Sequence, residues 1–163
     1  MKKETKKTCL ILGIGNYSRQ DDGLGWEFLD LLKKTPNTKF NFNLEYRYQL
    51  QIEDAELLCQ YDSVFFVDAS KRILEDGFSL KKGIPINQYG FTSHSLSPET
   101  ILFLSNQLYN HQPNAYIIEI EGFKWNLMNG LSINAKINLN NAFQYFLKFV
   151  TTELNQFRKK EKI

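Results

Sequence analysis

The sequence predicts an α/β fold in which a mostly parallel sheet carries helices on both faces. Three observations lead there. Two short apolar runs, Cys9-Leu10-Ile11-Leu12 and Val64-Phe65-Phe66-Val67, have the unbroken apolar character of strands buried on both sides. Segments with apolar residues at helical spacing lie between and after them. Each run ends in polar or turn-forming residues, Gly13-Ile14-Gly15 after the first and Asp68 after the second. In open α/β sheets the ligand crevice lies beyond those carboxyl ends.

Taken in order, the first strand feeds a tight turn at Gly13-Ile14-Gly15. After Asp22-Gly23, the residues Leu24, Phe28, Leu31 and Leu32 predict a first helix, closed by Pro36. Phe40, Phe42, Leu44, Tyr46 and Tyr48 alternate with Asn41, Asn43, Glu45 and Arg47, which predicts a half-exposed edge strand. Residues from about Ile52 to Tyr61 read as a short helix, and Val64 to Val67 as a buried strand that stops at Asp68. A loop rich in Lys, Asp and Gly then leads through Ile84, Ile86 and Tyr89 to Phe91-Thr92-Ser93-His94-Ser95-Leu96-Ser97. Ser97 is a fitting cap for a helix beginning at Pro98, with Ile101, Leu104 and Leu108 as its apolar face. Ala115 to Ile120 gives another strand. Phe143, Phe146, Leu147, Val150, Leu154 and Phe157 mark a long amphipathic helix from about Ile137.

At 163 residues and 42% hydrophobic content, the chain closes one sizeable core and is read as a single domain. Twenty basic against eighteen acidic residues give a net charge of +2, with no polyelectrolyte signature, so a nucleic-acid partner is not expected. Lys2-Lys3, Lys6-Lys7 and Arg158-Lys159-Lys160 read as solvated ends, and residues 1–7 and 158–163 as flexible tails. Cys9 and Cys59 lack metal-type spacing and read as small core residues. The first residues hold no apolar stretch before a cleavage site, and no run approaches the ~18 residues of a membrane span. A cytoplasmic protein that works as a monomer, without a membrane, is the expectation.

If the loop after the first strand, Asp68 and His94 converge at the sheet's carboxyl edge, Asp22, Asp68 and His94 supply two carboxylates and an imidazole. That mixed N/O set suits zinc, nickel, iron or manganese. Each residue also has an ordinary reading. Asp21 or Asp22 could cap the first helix or shape its turn, Asp68 could bond the following loop, and His94 could be an exposed loop histidine. Asn16 and Arg19 could hold a substrate main chain or carboxylate, or merely solvate the loop. Glu119 and Glu121 read as an exposed strand face or as loop bonds. A dinucleotide fingerprint needs glycine where the chain has Ser18, and two adjacent aspartates would repel a pyrophosphate. A Walker loop and a Gly-x-Ser-x-Gly nucleophile elbow are both missing from the sequence.

The loop Gly13-x-Gly15-Asn16-x-x-Arg19-x-Asp21-Asp22-Gly23-x-Gly25 at the end of the first strand resembles that of the hydrogenase maturation proteases. Val67-Asp68-Ala69, Ser93-His94-Ser95-Leu96-Ser97 and Ile118-Glu119-Ile120-Glu121-Gly122 extend the likeness across about residues 8 to 155. The resemblance implies a three-layer α/β/α sandwich with a twisted five-stranded sheet. It also implies an endopeptidase that removes the C-terminal extension of a nickel-iron hydrogenase large-subunit precursor once nickel is inserted. The family's metal-contacting positions fall on Asp22, Asp68 and His94, and the nickel they meet is the ion carried by the precursor; no organic cofactor is implied. Tyr17-Ser18 and Ser95 depart from the family's usual Leu-containing pair and Gly. Two competing readings are a non-catalytic nickel-sensing chaperone for the precursor and a nucleotide-binding enzyme on a similar scaffold.

Overall fold

The computed structural model describes residues 9–35, 42–87 and 96–160. Strand β1 (Cys9–Ile14) leads through a 3-10 turn at Gln20–Gly23 into helix α1 (Leu24–Lys34). Edge strand β2 (Phe42–Arg47) follows, then the short helix α2 (Asp54–Leu57) with a 3-10 turn behind it, and β3 (Ser63–Ser70). A connection that passes the position later filled by β5 brings in β4 (Phe78–Lys82). Helix α3 (Pro98–Tyr109), strand β5 (Asn114–Glu121) and helix α4 (Ile133–Lys160) complete the chain.

The strands form one sheet in the order β2-β1-β3-β5-β4. All neighbours are parallel except β4, which runs antiparallel to β5. Period-two alternation splits the central strands between two cores. Ile11, Phe65, Val67, Ile118 and Ile120 face α1 and α4, where they meet Leu24, Phe28, Phe143 and Phe146. Leu10, Leu12, Val64, Phe66 and Ile117 face α2 and α3, where they meet Ala55, Leu58, Ile101 and Leu104. The predicted three-layer sandwich with a mostly parallel five-stranded sheet is therefore the observed one.

Several boundaries move. β4 lies inside the stretch read as a loop, because Phe78-Ser79-Leu80 offers only one full alternation before Lys81-Lys82. Antiparallel pairing with β5, Leu80 opposite Ile118, supplies the register that its own pattern lacks. β3 does not stop at Asp68 but runs on to Ser70, since β5 stays beside it after β1 has ended. Helix α4 starts at Ile133, earlier than its apolar face suggests, and reaches Lys160. Leu108, read as part of the apolar face of α3, is 58% exposed. Phe40, Pro36, Tyr89 and His94 lie outside the described residues.

Ser97 caps α3 as predicted: its hydroxyl oxygen accepts the Thr100 amide at 3.1 Å, with Pro98 in the first turn. Ser97→Ala should cost about 1 kcal/mol, read as a lower midpoint in urea with an unchanged slope. An unchanged midpoint would mean that the cap contributes nothing here.

Candidate functional site

The order β2-β1-β3 puts the neighbours of β1 on opposite sides of it, and such a reversal opens a crevice at the carboxyl ends. Pairing of β1 with β3 ends at Gly13 opposite Val67, so Asp68 is the first β3 residue with no β1 partner. By strand alternation its side chain falls on the α2/α3 face, with Val64 and Phe66. From β1 the chain turns at Gly15, whose φ of 147° and whose absent Cβ allow the Asp22 carbonyl to approach; a Cβ there would stand 1.9 Å from that oxygen. The Asn16 amide donates to the Asp22 carbonyl at 3.0 Å, and the Asp22 amide donates to the Arg19 carbonyl at 3.1 Å. These bonds fix the main chain of Asp22 on the near side of the crevice.

Asp22 and Asp68, both half-buried, lie within reach of one another's charge. Burial pushes the Asp68 carboxyl up to about 7, against a bond from the Ala69 amide, and the charges of Asp22 and Glu119 push it the same way. Burial also raises Asp22, while Arg19 and Lys71 lower it. Oδ1 of Asp68 accepts the Ala69 amide at 2.8 Å. Among the described residues, no donor bonds Oδ2 of Asp68 or either carboxylate oxygen of Asp22. The two carboxylates thus share one another's field, with Arg19 and Lys71 also acting on Asp22.

Their predicted companions divide. Asn16 spends its side-chain oxygen locally, accepting the Ser18 amide at 2.9 Å in an Asx turn. Arg19 is exposed, and its guanidinium acts on Asp22 through charge. His94 belongs to the segment leading into α3, outside the described residues, and no cluster of three metal-type ligands occurs among those described. The other histidine, His111, is committed elsewhere, donating from Nε2 to the Tyr61 carbonyl at 2.9 Å ahead of β3. Glu119 pairs with Arg72, and Glu121 accepts the Leu74 amide at 2.6 Å; both serve the β3–β4 connection, as their ordinary reading has it.

Asp21, which the sequence offered only as a cap or turn residue, has a larger role. It is fully buried, and it does not cap α1. Its carboxylate accepts the amides of Phe123 at 2.7 Å, Lys124 at 2.9 Å and Ser132 at 2.7 Å, and the Ser132 hydroxyl at 2.7 Å. Ser132 precedes α4 and caps it through the Ala135 amide, so the Asp21 charge also meets the positive end of that helix. Burial alone would raise this carboxyl, but the bonds from Ser132, Phe123 and Lys124 outweigh it and hold the group below the ordinary carboxylate range. Trp26 ties the other flank, its indole N–H shared between the carbonyls of Gly13 and Arg47 at 3.1 and 3.0 Å.

No family model and no curated protein sequence matches this chain. Solved structures do. The hydrogenase maturating endopeptidase HybD from E. coli superposes with a TM-score of 0.67 at 15% identity, covering 90% of this chain and 93% of its own. The [NiFe] hydrogenase maturation protease HycI from Thermococcus kodakarensis gives 0.67 at 19% identity, with 91% and 95% covered. A hydrogenase 2 maturation peptidase from a Thaumarchaeota archaeon gives 0.62 at 20% identity, with 88% and 98% covered. The chain has the fold of the hydrogenase maturation proteases. In the maturation-protease fold as this chain builds it, β3 carries Asp68 and the turn before α1 carries Asp22, each at the carboxyl side of the strand-order reversal and within reach of the other's charge. No helix among the described residues is long and apolar enough to cross a membrane.

Proposed function

We propose that this protein is an endopeptidase that removes the C-terminal extension of a nickel-iron hydrogenase large-subunit precursor. The observation that carries the reading is the Asp22–Asp68 pair, with carboxylate oxygens that no donor among the described residues bonds, at the carboxyl edge of this fold. In this reading nickel is cargo that arrives with the precursor, and Asp22, Asp68 and His94 meet it. The carboxylates and an imidazole form the mixed donor set that such an ion accepts. A metal at that point polarises a scissile carbonyl or acidifies a water. Asp68, held near neutrality, suits the other task of taking a proton from the attacking water. Asn16 and Arg19 line the loop on which the precursor's chain would lie. Both cysteines are unpaired thiols, that of Cys9 pushed up to about 12 by burial, which accords with work in the reducing cytoplasm on a soluble precursor.

The decisive assay incubates the purified protein with nickel-loaded and nickel-free precursor and follows the precursor's mass. Loss of a C-terminal fragment from the loaded form alone is expected. Stable association without any mass loss would convert the reading to that of a nickel-sensing chaperone. Ligation and proton abstraction both require Asp68 ionised, so kcat/KM for cleavage, which reads the free protein's groups, should climb as pH rises through about 7 and fall away below it. A flat rate between pH 5.5 and 8 would remove Asp68 from both roles.

A further inference from the structure

We infer that Asp21 is the positioning residue that holds Asp22 against Asp68, working through a clamp between the β1–α1 loop and the β5–α4 loop. This rests on the proposed function only for its catalytic consequence. Seven hydrogen bonds join the two loops. Four end on the Asp21 carboxylate, from the amides of Phe123, Lys124 and Ser132 and from the Ser132 hydroxyl. The Asp21 amide donates to the Lys124 carbonyl at 3.0 Å, the Gln20 amide donates to the Met128 carbonyl at 3.0 Å, and the Asn126 amide reaches Gln20 Oε1 at 3.3 Å.

Asp22 follows next in the chain, so its main chain is gripped from two directions. Asp21 anchors one side to residues 102 to 111 positions away. The Asn16 amide and the Arg19 carbonyl anchor the other within its own loop. Gln20 shows how firmly the turn is set: it holds a left-handed φ of 49°, which a non-glycine residue adopts at a cost. A carboxylate is the one side chain of this size that accepts four donors at once. Asparagine with its oxygen at the Oδ2 position would keep the bonds from Phe123, Lys124 and the Ser132 hydroxyl but turn its N–H2 toward the Ser132 amide, which can only donate, so an isosteric change sets two donors face to face and loosens the clamp. Gly122 offers an independent handle, since a Cβ there would stand 2.7 Å from the Asp21 Cβ with the carboxylate left intact.

Amide hydrogen exchange on the full chain tests this without any precursor. In Asp21→Asn and Gly122→Ala, the Asn16 amide, which bonds Asp22 and touches none of Asp21's partners, should exchange about tenfold faster or more. The Phe66 amide inside β3 should keep its wild-type rate. Wild-type exchange at Asn16 in a folded variant would overturn the inference, and Gly122→Ala supplies that answer if Asp21→Asn does not fold. With nickel-loaded precursor, kcat should drop about tenfold or more while KM stays within about threefold. Phe146→Leu, in the core between α4 and the sheet, serves as the stability control and should leave kcat unchanged. A wild-type protein that cuts nothing would sink the proposed function, whereas the exchange result would still decide the role of Asp21.

Discussion

Asp68→Asn should abolish cleavage of the nickel-loaded precursor and at the same time make the protein harder to unfold above neutral pH. The two effects have one cause. Burial, Asp22 and Glu119 disfavour the ionised carboxylate in the folded chain, where the group titrates at about 7 instead of near 3.8. Between those values the folded state holds a proton that the unfolded state has released, so stability falls as pH rises. At pH 8 the wild type carries a buried charge within reach of those of Asp22 and Glu119, and the amide variant does not. A gain of about 1 kcal/mol, or ~2–4 °C in unfolding temperature, is expected at pH 8 and should vanish near pH 4. Asparagine retains an oxygen for the Ala69 amide, so the local turn survives. Activity should fall by about 10²-fold or more, the scale of a lost acid–base group or metal contact. Thermal melts at the two pH values and the mass assay check both halves. A variant that is destabilised at pH 8 would mean that Asp68 supports the fold and is not strained by it.

The sequence exposed most where the pattern was local. Two unbroken apolar runs located β1 and β3, Ser97-Pro98 located the start of α3, and alternation from Phe42 to Arg47 located the edge strand β2. Asp22 and Asp68 were legible because Asp22 sits in the loop after β1 and Asp68 comes directly after the apolar run of β3, two strands whose burial is written in their own composition. What escaped depended on partners far along the chain. β4 takes its register from β5, some forty residues later, and its own five residues hold too little alternation to declare it. Asp21 and Asp22 are chemically identical neighbours, and one cannot tell from the loop which is spent on structure. The answer lies in Phe123, Lys124 and Ser132, three of whose four bonds come from backbone amides and the fourth from the hydroxyl of a helix cap. Backbone donors leave no mark in a sequence.

Gly25→Ala should damage fold and function together, because this glycine is where α1 is pressed into the site. A Cβ at position 25 would stand 2.5 Å from the carbonyl oxygens of both Ile14 and Val67, and 2.9 Å from the Ile14 amide nitrogen. Those are main-chain atoms at the ends of two central strands, and no side-chain rotation relieves them. Overpacking against flexible neighbours costs about 1–3 kcal/mol, and the rigid contacts here argue for the upper end, ~3 kcal/mol. At roughly 2–4 °C per kcal/mol for a chain of this size, the melting temperature should drop by ~6–12 °C. The functional loss follows from the same geometry. Val67 precedes Asp68 directly and Asp22 lies three residues before Gly25, so pushing α1 away from Val67 draws the two carboxylates apart. Even well below its melting temperature the variant should process precursor at least about tenfold more slowly, since small displacements of catalytic groups are costly. Gly23→Ala is the milder comparison: its Cβ would find nothing closer than the Tyr17 Cα at 3.2 Å. Equal melting temperatures and equal rates for the two variants would show that the tight approach at Gly25 is not what brings Asp22 to Asp68.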